Sequence, residues 1–279
     1  MDKDHIPLKT SVDVARIRRS SRIVEKVFHH LAGRIRPGIT TQQIDESAFS
    51  FIKASGAVPA LKGYKGFPGS ICTSVNDIVT HGVPCDRVLE PGDIITIDTT
   101  VSVDGWYGDG AWTFVVPQET EKNLPENQWS IPPDVRRLIR AAWQSNCAGI
   151  MEIKPGACIG NIGETIAAVA AKHGCSIIHE YVGHGIGIEM HEDPHIPNIG
   201  KRDTGPRIVP GMVFTIEPVL TLGGSNIRVL DDGWSVVTED NSLAAQFEQT
   251  VAVFRDRIEI LTISRGILKE NIDYPPSLL

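Results

Sequence analysis

Ile35–Gly56 reads IRPGITTQQIDESAFSFIKASG and Ile153–Gly174 reads IKPGACIGNIGETIAAVAAKHG; the two stretches align without a gap at a shift of 118 residues. Identical pairs are Ile35/Ile153, Pro37/Pro155, Gly38/Gly156, Ile44/Ile162, Glu46/Glu164 and Gly56/Gly174. A second echo follows at a shift of 119, EPGDIITID from Glu90 against VPGMVFTIE from Val209, with Asp98 falling opposite Glu217. A unit this long that occurs twice is not a solenoid repeat, so the chain reads as two fused half-domains related by a pseudo-twofold axis.

Each half reads as helix followed by strands. Ile44, Ala48, Phe49 and Ile52 recur at helical spacing, as do Ile159, Ile162, Ile166, Val169 and Ala170. Gly56 and Gly174 stand where a helix C-terminal glycine belongs. An earlier helix is expected over about Val12 to Ala32, and another after Pro132-Pro133-Asp134. The β-branched runs Ile94–Asp98, Thr99–Val103 and Val213–Glu217 read as strands. The stretch Gln118–Pro133 is polar and proline-rich and reads as a surface insertion, because the repeat resumes intact behind it. The expected organisation is one domain over 1–279, with halves of about 10–115 and 134–265.

Among 279 residues, 41% are hydrophobic and 22% charged, which excludes a disordered chain. The net charge of -7 argues against nucleic acid or an anionic membrane as main partner. No apolar run reaches the ~18 residues of a membrane span. The charged start MDKDHIPLKT lacks the apolar core of a secretory signal, so a cytoplasmic location is expected. The five cysteines are odd in number and form no C-x-x-C pair, which reads as reduced thiols and not as disulfides or a zinc ribbon.

The repeat directs attention to acids at equivalent strand ends. Asp98 ends one apolar strand, and Asp109 follows eleven residues later beyond the turn Asp104-Gly105, a spacing that suits a hairpin. In the other half Glu217 ends the matching strand and Glu248 leads into the apolar Val251–Phe254. His184 lies in Gly183-His184-Gly185-Ile186-Gly187, where small neighbours let the backbone approach an ion. Four converging carboxylates and an imidazole repel one another unless cations neutralise them. A set rich in oxygen with one histidine favours Mn, Fe, Co or Mg over a structural zinc site, and two ions sharing carboxylates make a hydrolytic centre. His81, in Asn76–Pro84, and His191, before Glu192-Asp193-Pro194, are further candidates. His5, His29, His30, His173, His179 and His195 read as surface or structural.

At these residues the chain resembles a family. N-D-I-V-T-H-G-V-P, I-D-x-T-x-x-x-D-G-x-x-G-D, G-H-G-I-G-x-x-x-H-E-D-P, G-M-V-F-T-I-E-P and A-Q-F-E-Q-T look like the signature blocks of the type I methionine aminopeptidases, in order and spacing from about residue 10 to 265. The resemblance implies an α/β (α+β) pita-bread fold, two pseudo-twofold halves of helices packed on antiparallel sheet. It implies a dinuclear site with Asp98, Asp109, His184, Glu217 and Glu248 as ligands, Asp109 and Glu248 bridging two ions (Mn, Fe or Co, with Zn or Mg as further options). A metal-bridging water is then the nucleophile, Glu217 accepts its proton, His191 stabilises the tetrahedral intermediate, and His81 positions the scissile amide. The methionine pocket maps onto Tyr64, Phe67, Cys72, Met190 and Trp234, apolar and polarisable walls for a thioether. Expected partners are peptide or nascent-chain N-termini beginning with Met, with transient ribosome contact and a monomeric state.

Glu217 lies only 26 positions after His191, too few for the inserted subdomain of the type II enzymes, so the short, bacterial-like form is expected. Several positions depart from the family pattern: Gly110-Ala111 replace two hydroxyl residues after Asp109, Phe247 a tyrosine, Gln249 a histidine and Met190 a phenylalanine. They bear on metal affinity and on the groups orienting Asp109 and Glu248. Two alternatives stand beside this reading: a proline-adjacent peptidase on the same fold, and a peptide-binding relative without catalysis.

Overall fold

The computed structural model describes residues 6–263 apart from 122 and 125–127; His5 lies outside them. Four long helices occur in two pairs: α1 (Ser11–Ala32) with α2 (Thr41–Ala54), and α3 (Pro133–Met151) with α4 (Ile159–Lys172). Thr10 and Asp13 close a capping box on α1, and Thr40 with Gln43 closes one on α2, satisfying amides that a helix start leaves free. The apolar stripes expected from the spacing are buried except at two positions: Val169 is half-buried, and Phe49 is exposed, with the Lys62 ammonium 5.2 Å from its ring centroid.

The internal repeat is visible in the backbone. Gly38 and Gly156 have φ of 86° and 91°, and Gly92 and Gly211 have 89° and 98°, left-handed values that glycine alone adopts without strain. Gly38 N–H donates to Leu89 O at 2.9 Å, and its counterpart Gly156 N–H donates to Ile208 O at 2.8 Å. Gly92 N–H reaches Val116 O and Gly211 N–H reaches Val253 O, both at 2.9 Å. Equivalent sequence has produced equivalent turns and equivalent bonds.

Both halves feed one nine-stranded sheet. Its spatial order is Val58–Pro59, Ile94–Val103, Trp106–Val115, Glu248–Val253, Val213–Ile216, Gly183–Gly185 and Glu192–Ile196; Cys72–Val75 and Ile258–Ile260 pair as side branches. All of its pairings are antiparallel. The halves meet where Trp106–Val115 pairs with Glu248–Val253. A smaller three-stranded sheet (Ile227–Val229, Val236–Thr238, Ile78–Thr80) ends directly before His81, which opens the irregular segment leading to Ile94.

The helices cover one face. α1 packs on the hairpin of the first half, and rings of Phe28, Trp112, Trp143 and Phe247 link the two helix pairs at centroid separations of 5.2 to 6.2 Å. All four side chains are buried. Each contributes about 1.5–3 kcal/mol by leaving water, plus ~0.5–1.5 kcal/mol for favourable ring contacts.

Two sequence expectations change here. Ile94–Asp98 and Thr99–Val103 form a single ten-residue strand, Ile94–Val103, because no breaker separates them and the ladder with Trp106–Val115 runs unbroken from Ile94↔Val115 to Val103↔Trp106. The 118–133 segment is not purely a surface insertion. Trp129 and Ile131 are buried in the main core, and the Trp129 indole N–H lies 3.1 Å from the carbonyls of both Glu121 and Leu124. Its apolar residues are few, and their burial is decided by the neighbouring core. Among the described residues no helix is long and apolar enough to cross a membrane. All five cysteines are free thiols, with Cys85 exposed and the rest buried.

Candidate active site

Residues directly opposite in an antiparallel ladder project to the same face, as do residues two apart along a strand. Cys72 pairs with Asp98, Asp98 with Ala111, and Ala111 with Glu248, so one row of side chains crosses four strands and the boundary between the halves. Asp109 is opposite Thr100, two residues beyond Asp98, and therefore joins that face. Glu217 follows Ile216, the partner of Gln249, and so stands beside Glu248. The two acids of the first half are thus mid-strand and not at strand ends; a hairpin places them together by register.

Ligand-type atoms of Asp109, His184 and Glu248 all lie within 4.8 Å of one another. His184 Nε2 is 3.8 Å from Asp109 Oδ2 and 3.6 Å from Glu217 Oε1. Its Nδ1 lies 3.0 Å from Gly185 O, which accepts the ring proton and leaves the Nε2 lone pair directed at the acids. The Thr100 hydroxyl donates to Asp109 Oδ1 at 2.9 Å, and Gly110 N–H donates to the same oxygen at 3.0 Å. The Thr215 hydroxyl accepts from the His184 backbone N–H at 3.0 Å and donates to Glu217 Oε1 at 2.8 Å, tying the strand that carries His184 to the Glu217 carboxylate. Among the described residues, buried Glu248 Oε1 has no hydrogen-bond partner.

The glycines around His184 serve the sheet, not an approach of backbone to an ion. A Cβ at Gly183 meets Thr215 O at 2.4 Å, and one at Gly185 meets Asp193 O at 2.2 Å. Gly185→Ala is therefore expected to lower unfolding stability by about 1–3 kcal/mol or more through forced strand separation, read from the urea midpoint.

Burial dominates the electrostatics. It pushes Asp98 well above the usual carboxylate range, with the neighbouring Asp109 charge adding to it. Glu248 is raised well above its range by burial and then by Asp109, Glu217 and Asp98. Glu217 is raised by burial, against the Thr215 hydrogen bond and with Asp109 and Asp98 adding. Asp109 is raised by burial, with His191 and the bonds from Thr100 and Gly110 opposing. Burial lowers His184, His191 and His81 each to about 4, so all three are neutral at pH 7. Carboxylates this crowded and dry call for a cation.

The cluster opens into a cavity of about 300 Å³. Tyr64, Phe67, Cys72, Met190 and Trp234 line it together with His81 and His191. Phe67 meets Trp234 edge-on at 5.2 Å, and His81 meets Tyr181 edge-on at 5.2 Å. The Tyr64 hydroxyl lies 3.0 Å from His191 Nδ1, and the His191 ring centroid is 4.3 Å from that of His184.

Sequence reasoning missed several lining residues: Thr100, Lys65, Glu180, Tyr181 and His195. His195, set aside as surface or structural, is the ladder partner of His184 and lines the cavity. Strand alternation from His191 through Asp193 was the available signal. The departures from the family pattern also sort by face. Gly110, Phe247 and Gln249 lie on the helix side: a Cβ at Gly110 meets Val24 at 3.1 Å, Phe247 packs on Trp112 and Trp143, and Gln249 Oε1 accepts from Thr262 at 2.6 Å. Ala111 and Met190 face the site, and Thr100 supplies the hydroxyl that holds Asp109.

Acids and an imidazole drawn from two related halves onto one sheet face, beside an apolar cavity, define a metal-dependent hydrolase. Residues 15–254 match the model of metallopeptidase family M24. Methionine aminopeptidase 1 of Bacillus subtilis (strain 168) is 41% identical over 254 residues, covering 91% of this chain and 98% of its own length. The crystal structure of methionine aminopeptidase from Rickettsia prowazekii superimposes with a TM-score of 0.87 at 37% identity, covering 93% of this chain and 100% of that one. The Thermotoga maritima methionine aminopeptidase structure gives 0.87 at 32% identity, with 93% and 100% covered. The chain belongs to the methionine aminopeptidases of metallopeptidase family M24, and its fold is the pita-bread fold. Membership implies a divalent metal, and the donor set fits one: a buried Glu248 oxygen with no hydrogen-bond partner among the described residues, an oriented His184 lone pair and carboxylates whose charged form burial disfavours.

Proposed function

We propose that the protein releases N-terminal methionine from peptides and nascent chains whose second residue is small. The observation that carries this is the union, in one cavity, of the buried acid–imidazole cluster with the compartment walled by Tyr64, Phe67, Cys72, Met190 and Trp234. Asp98, Asp109, His184, Glu217 and Glu248 would hold the divalent metal, with Asp109 and Glu248 as its central carboxylates. Manganese, iron and cobalt suit this set, with zinc or magnesium as further options. When bound, the ions supply Lewis acidity and lower the pKa of a water.

The side chains do the rest. Glu217, steadied by Thr215, accepts the proton of the attacking water. With the Tyr64 hydroxyl donating to Nδ1, neutral His191 offers Nε2–H to the oxygen on which charge develops. His81 positions the scissile amide and its leaving nitrogen. The apolar walls take the methionine thioether and exclude water around it. The whole chain acts as one catalytic domain, in the cytoplasm, as a monomer with transient ribosome contact. Light scattering and ribosome co-sedimentation test the last two points.

The purified protein is expected to lose methionine release from Met-Ala-Ser on chelation and to regain it with Mn or Co. Cleavage beside proline in place of methionine release would overturn the reading.

A further inference from the structure

Lys9 lies far from the reacting groups in sequence, yet its ammonium is ion-paired with Glu192, across 183 residues, and both side chains are only 6% exposed. The other Glu192 oxygen, Oε1, accepts from Ile188 N–H at 3.0 Å and Glu189 N–H at 3.2 Å, closing the turn that carries Met190 and His191. Gly187 makes room for the lysine: a Cβ there meets Lys9 Cε at 2.4 Å. Gly187 O accepts from Tyr107 N–H at 2.9 Å, which fixes the turn to the central hairpin. Lys9 itself is anchored, since its N–H donates to Gly211 O at 2.7 Å, at the Pro-Gly turn preceding the Glu217 strand.

We infer that Lys9 is a positioning residue. Its ammonium neutralises Glu192 in the dry interior, and that carboxylate sets the turn from which Met190 and His191 enter the cavity. A buried pair holds geometry mainly because removing one partner strands the other as an uncompensated charge. Without Lys9, Glu192 turns toward water, the Ile188 and Glu189 amides lose their acceptor, and His191 moves from the line set by Tyr64. The proposal rests on the role given above to His191.

Three proteins test it: Lys9→Met, which strands the Glu192 carboxylate, Glu192→Gln, which strands the Lys9 ammonium against the turn and forces the turn apart, and the double variant, in which no charge is stranded and the introduced amide oxygen accepts from the two N–H groups. In each single variant amide exchange over residues 186–192 is expected to accelerate at least about tenfold, while Ile94–Val103 is unaffected. In each, kcat on Met-Ala-Ser falls at least about tenfold with KM within about threefold and metal content unchanged. The double variant, with no charge stranded, recovers most of both. Unchanged exchange and kcat in the singles, or a double variant as impaired as the sum of its parts, would overturn the inference. Glu192→Gln remains informative if Lys9→Met does not fold. A parent protein that releases no methionine overturns the functional reading instead, and the exchange data still decide the clamp.

Discussion

Glu248→Gln, and equally Asp109→Asn, is expected to abolish methionine release. Losing a group that merely orients a metal ligand typically lowers affinity or activity ~10–100-fold. These two carboxylates stand at the centre of the cluster, Glu248 with a buried oxygen that no group among the described residues satisfies and Asp109 within reach of His184. Replacing either with an amide removes a charge that two ions would share, so the loss should exceed that range by at least about tenfold again. Bound metal should fall from two ions to one or none, measured by elemental analysis alongside turnover. Neither change enlarges or empties the core, so the fold persists and circular dichroism stays unaltered. A Glu248→Gln protein with full metal content and ordinary turnover would remove the bridging role.

The second large effect is kinetic. His191→Ala is expected to lower kcat by about 10²–10³-fold, the usual consequence of deleting one donor to a developing oxyanion. Its ring packs on His184, at 4.3 Å between centroids, and it is held from the other side by Tyr64. Metal content should therefore stay intact. Loss of both ions from His191→Ala would show that the residue is a structural support of the centre.

Much of the architecture was readable before any coordinates. Gly38/Gly156 and Gly92/Gly211 matched in sequence, and they match in φ and in hydrogen bonding, because a left-handed turn demands glycine wherever it recurs. Helix spacing located α1 to α4, with Phe49 as an apolar residue at the right interval that stays exposed beside Lys62. The strand division at Asp98 failed because an acid inside an apolar run looks like an end, whereas an alternating strand tolerates a polar side chain on its site face.

Taken alone, the order of residues determined the duplication, the turns, the periodicity of each element and the kinds of side chain available for chemistry, since all of these depend on local backbone preference or residue type. Tertiary structure decided the rest. It set Cys72, Asp98, Ala111 and Glu248 in one row, turned Gly110 and Gln249 to the helix face, made His195 a neighbour of His184, and brought Lys9 to Glu192. The physical reason is register: which face a strand residue occupies, and which distant residue it meets, depends on pairing between segments far apart in the chain, and a one-residue slip would reverse every such face.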